Sequence, residues 1–271
     1  MSATLSAPGK GTYVLQDLFG IPVAAMRMDA VLDQIERAIH TRQSLNIGVV
    51  NAAKVVNMRR DVSLRQAVLS SDLILADGIS VVCASRLLGR PLPERVAGID
   101  LMMGILERAA RRRYRVFCLG ATTEVLAGAV ARAEADFPGL RVVGSYHGYF
   151  TAAEERYVAE RIAASKADVL FVAMTSPRKE QFLARWSPRL RVPVCHGVGG
   201  SFDVLAGKVR RAPAGWQRLG LEWLYRLMQE PRRLWRRYLV TNTIFFWMLL
   251  LEMARQRRGE GAEVVERWPA L

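Results

Sequence analysis

The chain has 271 residues, 51% hydrophobic and 24% charged, a composition that excludes a disordered or collagen-like protein. Its formal net charge of +14 predicts a polyanionic partner: nucleic acid, an anionic membrane surface or phosphate groups. Segment 205–258 contains 12 Lys or Arg residues and 3 acidic ones, so the positive charge is concentrated near the C-terminus. Three cysteines without close spacing exclude a disulfide framework or a zinc knuckle, and they predict a reduced, cytoplasmic protein.

From about residue 44, short β-rich runs alternate with longer helical patterns, which predicts βαβ units. The predicted strands are Leu45–Val50, Leu73–Ala76, Arg115–Leu119, Arg141–Val143, Val169–Ala173 and Val192–Cys195. The predicted helices are Asp29–Thr41, Asp61–Ser70, Leu101–Arg112, Glu124–Ala135 and Ala153–Ala164, the last with a capping box from Thr151 to Glu154. Several strands are nearly continuous in Val, Ile and Leu, as strands covered on both faces are. We expect an α/β fold: a Rossmann-like, mostly parallel sheet with helices on both faces and a helical C-terminal appendage.

Polar residues and glycines follow the predicted strands, at the edge where open parallel sheets bind ligands. These are Asn51, Asp77 with Gly78, Gly120–Thr123, Thr175–Glu180 and Gly197–Ser201. Most Asp-Gly pairs are turns, but a carboxylate that ends a buried strand is costly without a task or a partner, which makes Asp77 a catalytic candidate. Gly120–Thr123 is either part of the site or a turn with a helix cap, and Gly197–Ser201 is either a turn or an anion-binding nest.

Common nucleotide and metal motifs are absent from the sequence. No Gly-Lys-Ser/Thr follows the last glycine turn, and there is neither a G-x-G-x-x-G fingerprint nor an Asp-x-Asp pair. His40, His147 and His196 have no metal-ligand spacing and are expected to serve the core or the surface. If the protein handles a nucleotide diphosphate, its positive counter-charge must come from elsewhere in the chain.

The arginine-rich segment after Arg210 offers such charge. Trp216–Gln229 is predicted to form an amphipathic helix, and Pro231 to begin a second one. Four arginines crowd the first turns of that second helix, where the helix dipole is already positive: Arg232, Arg233, Arg236 and Arg237. A bound diphosphate would relieve this conflict, since guanidinium groups bind phosphate with two hydrogen bonds; a solvated basic face is the alternative.

Tyr238–Leu251 continues that segment for 14 residues without a charge, which is too short to span a bilayer. Aromatic residues bounded by arginines favour a helix that lies in the membrane interface. The alternative is an ordinary helix that docks against the core or a neighbouring subunit.

A set of motifs, in this order along residues 17–240, resembles the WecG/TagA/CpsF glycosyltransferases. The motifs are Asn51-Ala-Ala-Lys, Ala76-Asp77-Gly78, Arg95-Val-Ala-Gly98-Ile-Asp100-Leu, Ser176-Pro-Arg-Lys-Glu180, Gly197-Val-Gly-Gly-Ser-Phe-Asp203, Arg211-Ala-Pro213, Gly220-Leu-Glu-Trp-Leu-Tyr-Arg226-Leu and Glu230-Pro-Arg-Arg-Leu-Trp-Arg236-Arg-Tyr. The resemblance implies an enzyme that transfers a sugar from a UDP-sugar to a sugar on an undecaprenyl-diphosphate carrier. It implies inversion at the anomeric carbon, in exopolysaccharide, capsule or other cell-surface glycan synthesis, with neither a metal nor another cofactor.

The resemblance also implies roles for individual residues. Asp77 matches the general base, and Asn51 matches a position that contacts the donor sugar or orients the acceptor. Three arginines match diphosphate contacts: Arg226, Arg233 and Arg236. Further candidates for donor or acceptor contacts are Thr175, Lys179, Glu180, Gly199, Gly200 and Asp203, the last three beside the nucleotide.

Lys179 departs from the family pattern, in which many members have Gln. One hypothesis is that the lysine alters the choice of donor or acceptor towards a substrate with a negative charge. The alternative is that Lys179 only pairs with a neighbouring acid.

We divide the chain into a loose tail (1–16), an α/β glycosyltransferase domain (17–214), an arginine-rich membrane-proximal appendage (215–258) and a second tail (259–271). The appendage is expected to dock on the inner face of the bacterial cytoplasmic membrane and to close over the site. A homo-oligomer is possible, and nucleic acid is not expected as a partner. The alternative function is a non-catalytic basic protein that binds a membrane or nucleic acid, for which the net charge is the only argument.

Overall fold

The computed structural model describes residues 3–5, 13–218 and 220–257. Near the N-terminus, β1 (Ala3–Leu5), β2 (Tyr13–Leu18) and β3 (Ile21–Ala24) form a small antiparallel sheet in that order. Residues 3–5 and 13–16 of the predicted first tail are therefore strands. The rest of that tail, and the predicted tail 259–271, lie outside the described residues.

A larger, parallel sheet forms the centre of the molecule. Its strands are β4 (Leu45–Val50), β5 (Leu73–Ala76), β6 (Arg115–Gly120), β7 (Arg141–Tyr146), β8 (Val169–Ala173) and β9 (Val194–Gly197). Within the described residues the order is β5-β4-β9-β8-β6-β7, and every neighbouring pair is parallel. The predicted parallel α/β fold is confirmed, although the last strand begins two residues later than predicted. This order places the carboxyl ends of β5, β4 and β9 side by side.

Helices cover both faces of this sheet. One face is covered by α1 (Met28–Thr41), α5 (Gly98–Arg112) and α6 (Thr123–Asp136), and the other by α2 (Ala52–Arg60), α3 (Val62–Leu69), α4 (Ile79–Leu87), α7 (Glu155–Ala164) and α8 (Arg178–Leu190). Along β8, Val169 and Phe171 enter one buried cluster while Leu170 and Val172 enter another. Because side chains alternate across a strand, an unbroken apolar strand supplies both cores.

The segment Gly120–Thr123 after β6 is a turn with a helix cap, which was one of the two alternatives left open by the sequence. Gly120 has φ of +125°, and a Cβ there would lie 2.3 Å from the Ala173 carbonyl oxygen. Thr122 caps α6, because its side chain accepts a hydrogen bond from the Val125 N–H. The capping box predicted from Thr151 to Glu154 forms only in part. Glu154 accepts a hydrogen bond from the Thr151 N–H, but α7 begins at Glu155, so Thr151 is not the residue that caps it.

Three helices follow the short α9 (Ser201–Leu205): α10 (Ala214–Arg218), α11 (Glu222–Gln229) and α12 (Pro231–Arg257). The prediction of one helix over Trp216–Gln229 was wrong, because the chain turns at Gly220. Gly220 has φ of +71°, and a Cβ would lie 2.8 Å from the Ile79 side chain, so only glycine fits there without strain. Pro231 begins α12 as predicted.

The helix α12 packs against α2 through Met248 and Leu249, which are buried in one cluster with Val55 and Val56. Large apolar side chains on its other faces are exposed, among them Trp247 and Leu251. In the described part of the chain, no helix has the length and apolar character needed to cross a membrane.

Candidate active site

A groove of about 1070 Å³ lies between the carboxyl edge of the parallel sheet and the helices α11 and α12. Several of the predicted site residues line it together: Asn51, Asp77, Gly200, Asp203 and Arg226. They come from segments far apart in the sequence, and the strand order described above brings them to one place. This position agrees with the general rule for open parallel sheets.

Asn51 and Asp77 lie side by side because β4 and β5 end in register. Val50 is paired with Ala76, and each candidate is the next residue of its strand. The Asn51 side chain caps α2 by accepting a hydrogen bond from the Lys54 N–H at 3.0 Å. Its Nδ2 donates to Asp77 Oδ2 over 3.5 Å, a long contact that leaves this carboxylate oxygen available to a ligand.

The other oxygen of Asp77 is held by the first residue of α5. The Gly98 N–H donates to Asp77 Oδ1 at 2.8 Å, and the Val96 N–H donates to the Ala76 carbonyl at 2.9 Å. Asp77 therefore has one oxygen fixed by the backbone and one directed to Asn51. A carboxylate fixed in this way is suited to accept a proton from a ligand in the groove.

The turn after β9 borders the groove in part. Gly200 and Asp203 line the groove, whereas Gly199 has φ of +54° and does not line it. The backbone N–H groups of Lys208 and Val209 donate to the backbone carbonyl of Asp203, which holds the segment after α9 against this turn. Beside it, Lys208 adds a cation to the lining.

The three predicted phosphate-binding arginines differ in position. Arg226 on α11 lines the groove, and none of the acidic side chains that the structure describes forms an ion pair with it. Arg236 is exposed on α12 and is not part of the lining. The side chain of Arg233 lies outside the described part of the structure.

A group of four charged side chains joins α11 to the α/β domain. Arg95 lies 3.2 Å from Glu222 Oε2 and 3.7 Å from Asp100 Oδ2, and Arg211 approaches both acids from the other side. Glu222 and Arg95 also line the groove. Sequence reasoning did not select either residue, although both belong to the motifs quoted above. Sequence position alone could not indicate that these motifs meet.

Lys179 and Glu180 are buried below the edge of the sheet and do not line the groove. Glu180 Oε1 lies 2.5 Å from Lys179 Nζ and 2.8 Å from Lys54 Nζ. Burial, together with the ammonium of Lys54, lowers the pKa of Lys179, and Glu180 offsets only part of this effect. Burial alone would raise the pKa of Glu180, but the two ammonium groups outweigh it and lower that pKa. The geometry supports the alternative in which Lys179 pairs with an acid.

Thr175 is exposed after β8 and does not line the groove either. Among the residues that the structure describes, no group of three His, Cys, Asp or Glu side chains is arranged to hold a metal ion.

Comparison with known proteins places the chain among carbohydrate enzymes. The Glycosyl transferase WecG/TagA/CpsF family model matches residues 16–259. An N-acetylglucosaminyldiphosphoundecaprenol N-acetyl-beta-D-mannosaminyltransferase of Bacillus spizizenii is 46% identical over 175 residues, which cover 64% of this chain and 67% of the relative. A protein of the same name from Bacillus subtilis is 34% identical over 225 residues, which cover 83% of this chain and 87% of the relative.

Proposed function

Since the chain belongs to the WecG/TagA/CpsF family of glycosyl transferases, we propose that it moves a sugar from a UDP-sugar to a sugar on undecaprenyl diphosphate. Both relatives are named for N-acetylmannosamine transfer to N-acetylglucosaminyl-diphosphoundecaprenol, so these are the first donor sugar and acceptor to test. The family assignment supports this activity and not a non-catalytic, nucleic-acid-binding protein.

The composition of the groove carries the proposal. Asp77 lies on the side formed by the sheet, while Arg226 on the side formed by α11 is a cation without an ion pair among the described residues. The third side is apolar and comes from α12, with Phe245, Phe246 and Leu249 in the lining. A lipid-linked diphosphate sugar combines a reacting hydroxyl, an anionic diphosphate and an apolar chain, so the three sides match its three parts.

In the proposed reaction, the acceptor hydroxyl attacks C1 of the donor sugar from the face opposite UDP. The new bond joins C1 to the acceptor oxygen, the bond from C1 to the UDP oxygen breaks, and UDP leaves with the electron pair. Asp77 Oδ2 takes the proton of the hydroxyl, because Oδ1 is already bound by the Gly98 N–H. Attack from the opposite face inverts the anomeric carbon.

The chain's own cations are proposed to stabilise the diphosphates. Arg226 is in the groove, and Arg233 and Arg236 lie one to two turns into α12. A guanidinium group can donate two parallel hydrogen bonds to the oxygens of a diphosphate, and its positive charge stabilises the negative charge that develops on the leaving group. Asn51 is proposed to orient the donor sugar or the acceptor, and Gly200 and Asp203 to border the nucleotide. We expect the reaction to proceed without a divalent metal.

Docking at the membrane is proposed to follow from the exposed apolar side chains of α12. The acceptor is anchored in a bilayer, and a helix that lies in the interface would bring the groove to it. We therefore propose a peripheral position on the inner face of the cytoplasmic membrane. A homo-oligomer that buries the same side chains stays a prediction.

The first experiment measures UDP release by the purified protein over a panel of UDP-sugars, with a short-chain lipid-diphosphate-N-acetylglucosamine acceptor and EDTA present. We expect acceptor-dependent turnover of UDP-N-acetylmannosamine. Asp77→Asn should lower kcat by about 10²- to 10⁴-fold, the usual contribution of a general base. Asp136→Asn, which removes a carboxylate from an exposed pair with Arg132, should have wild-type activity.

Three outcomes would contradict parts of this proposal. Absence of turnover with every donor would contradict the transferase activity on this acceptor. A fully active Asp77→Asn variant would contradict the role of the base. Activity lost in EDTA and restored by a divalent cation would contradict metal-independent transfer.

A further inference from the structure

His196 lies at the centre of the molecule, directly beneath the catalytic edge of the sheet. It is fully buried on β9, where its neighbours across the strands are Ile47 of β4 and Phe171 of β8. Its ring packs edge-on against the ring of Phe171, with 6.3 Å between centroids. Burying a polar ring away from solvent costs free energy unless the ring is hydrogen-bonded. The hydrogen-bond partner of His196 therefore indicates the role of this side chain.

That partner is the backbone of Gly98. His196 Nε2 lies 3.1 Å from the Gly98 carbonyl oxygen, and because a carbonyl only accepts, Nε2 must carry the proton. Burial lowers the pKa of His196 to about 4, although the hydrogen bond to the Gly98 carbonyl and the nearby Asp77 carboxylate oppose the shift. The ring is therefore neutral at neutral pH and has a single N–H, which on Nε2 is directed at Gly98, while Nδ1 has no hydrogen-bond partner among the described residues.

The same glycine holds Asp77 from its other side. Its N–H donates to Asp77 Oδ1 at 2.8 Å. A Cβ built on Gly98 would lie 3.8 Å from His196 Nε2 and 3.9 Å from Asp77 Oδ1, so this residue fits between the imidazole and the carboxylate. Two hydrogen bonds thus connect a buried ring on β9 to the carboxylate at the end of β5, two strands away in the sheet.

We propose that His196 is a positioning residue for the transfer reaction: it anchors the Gly98 peptide, and Gly98 in turn fixes Asp77 Oδ1. With Oδ1 fixed, Oδ2 keeps a constant direction towards Asn51 and the groove. This inference rests on the proposed function, in which Asp77 is the base. Small displacements of a catalytic group are expensive, because a shift of about 1 Å can cost on the order of 100-fold in rate.

The test compares side chains that differ in their ability to reach the Gly98 carbonyl. His196→Gln places an N–H donor near the position of Nε2, His196→Asn has the same amide but is too short, and His196→Met fills the volume without a donor. We expect kcat to fall roughly 10- to 100-fold in the Met and Asn variants, with KM for the donor unchanged. His196→Gln should restore most of kcat.

Phe171→Leu is the matched control, since it alters the same core without removing the bond to Gly98. We expect this variant to lose stability but to keep kcat. If the Gln variant loses as much kcat as the Met and Asn variants, or if Phe171→Leu loses as much, His196 acts only through packing and the proposal is overturned. Wild-type kcat in the Met and Asn variants overturns it as well. If His196→Met does not fold, the comparison of Gln with Asn is sufficient.

Amide hydrogen exchange of the peptide 95–101 provides a readout that does not depend on activity. We expect faster exchange in the Met and Asn variants than in the Gln variant, and unchanged exchange contradicts the anchor. If wild type shows no transfer, or Asp77→Asn is fully active, the proposed function fails. The exchange result still decides whether His196 anchors Gly98.

Discussion

At the scale of single residues, Lys54, Lys179 and Glu180 form a buried group in which two ammonium groups share one carboxylate. Lys54 also donates to the Val49 carbonyl at 2.7 Å, whereas the ammonium of Lys179 donates to Glu180 and to no other acceptor among the residues that the structure describes. The two lysines are therefore not equivalent. Removing the carboxylate leaves two buried positive charges, while removing Lys179 leaves a one-to-one pair.

We predict that Glu180→Gln destabilises the protein by about 3–5 kcal/mol, as expected when a buried ion pair loses one partner. Lys179→Gln should change stability by less than about 1 kcal/mol, because Lys54 still neutralises Glu180. Urea unfolding at pH 7 measures both values. Relative kcat/KM between donors should be unchanged in Lys179→Gln; a changed preference would favour the hypothesis that Lys179 selects the substrate.

The Glu180 carboxylate should also make the stability of the protein depend on pH. The pKa of Glu180 is lowered in the folded protein, so the pair stabilises the fold fully above the unfolded value near 4.5 and less as pH falls below it. The difference in unfolding free energy between wild type and Glu180→Gln should therefore shrink from pH 5 to pH 3. A difference that is constant over this range would contradict the pairing.

At the scale of elements, the apolar side chains of α12 have different surroundings. Phe245, Met248 and Leu249 are buried in one cluster with α2, and Phe245 and Leu249 also border the groove. Trp247 and Leu251 are exposed. The apolar sequence of this helix does not distinguish these side chains, because their surroundings depend on which part of the fold each one faces. The exposed face is the one available to a membrane.

We predict that Trp247→Ser with Leu251→Ser lowers binding to vesicles of phosphatidylglycerol and phosphatidylcholine at least tenfold. Each buried large apolar side chain contributes about 1.5–3 kcal/mol, so losing two is sufficient. Stability should change by less than about 0.5 kcal/mol, as for other surface substitutions. Met248→Ala is the matched control: it should cost about 2–5 kcal/mol of stability and leave vesicle binding of the folded protein unchanged. Wild-type vesicle binding by the double variant would contradict docking through this face.

At the scale of the whole molecule, the groove exists only where the C-terminal helices meet the α/β domain. Glu222 joins the two parts, since it contacts Arg95 and Arg211, both of the α/β domain. Arg226 is one turn further along α11 than Glu222 and therefore on the same face. Any movement of α11 relative to the domain also moves Arg226 relative to Asp77.

We predict that Glu222→Gln lowers stability by about 1–3 kcal/mol, the usual effect of losing hydrogen bonds between charged groups. It should also lower kcat/KM for the lipid acceptor by about 10-fold, because Arg226 is displaced. Glu107→Gln, in an exposed pair with Arg111 on α5, should be neutral in both measurements. Thermal unfolding and steady-state kinetics together test the coupling, and a neutral Glu222→Gln variant would contradict it.

Much of the architecture was determined by the sequence alone. The strands from Leu45 to Gly197 were predicted because continuous apolar runs are typical of strands covered on both faces, and Pro231 was recognised as the start of a helix. Asn51 and Asp77 were found because they directly follow buried strands. These features depend on local composition and on a rule about sheet edges, and neither requires knowledge of distant contacts.

Only the tertiary structure decided which distant residues meet. It separated Lys179 and Glu180 from the groove, brought Arg95 to Glu222, and placed Gly98 between His196 and Asp77. It also divided Trp216–Gln229 into two helices, because Gly220 turns against Ile79, a contact between residues far apart in the chain. Local patterns record which residues are buried, but partners depend on strand order and on packing between elements, which no local pattern contains.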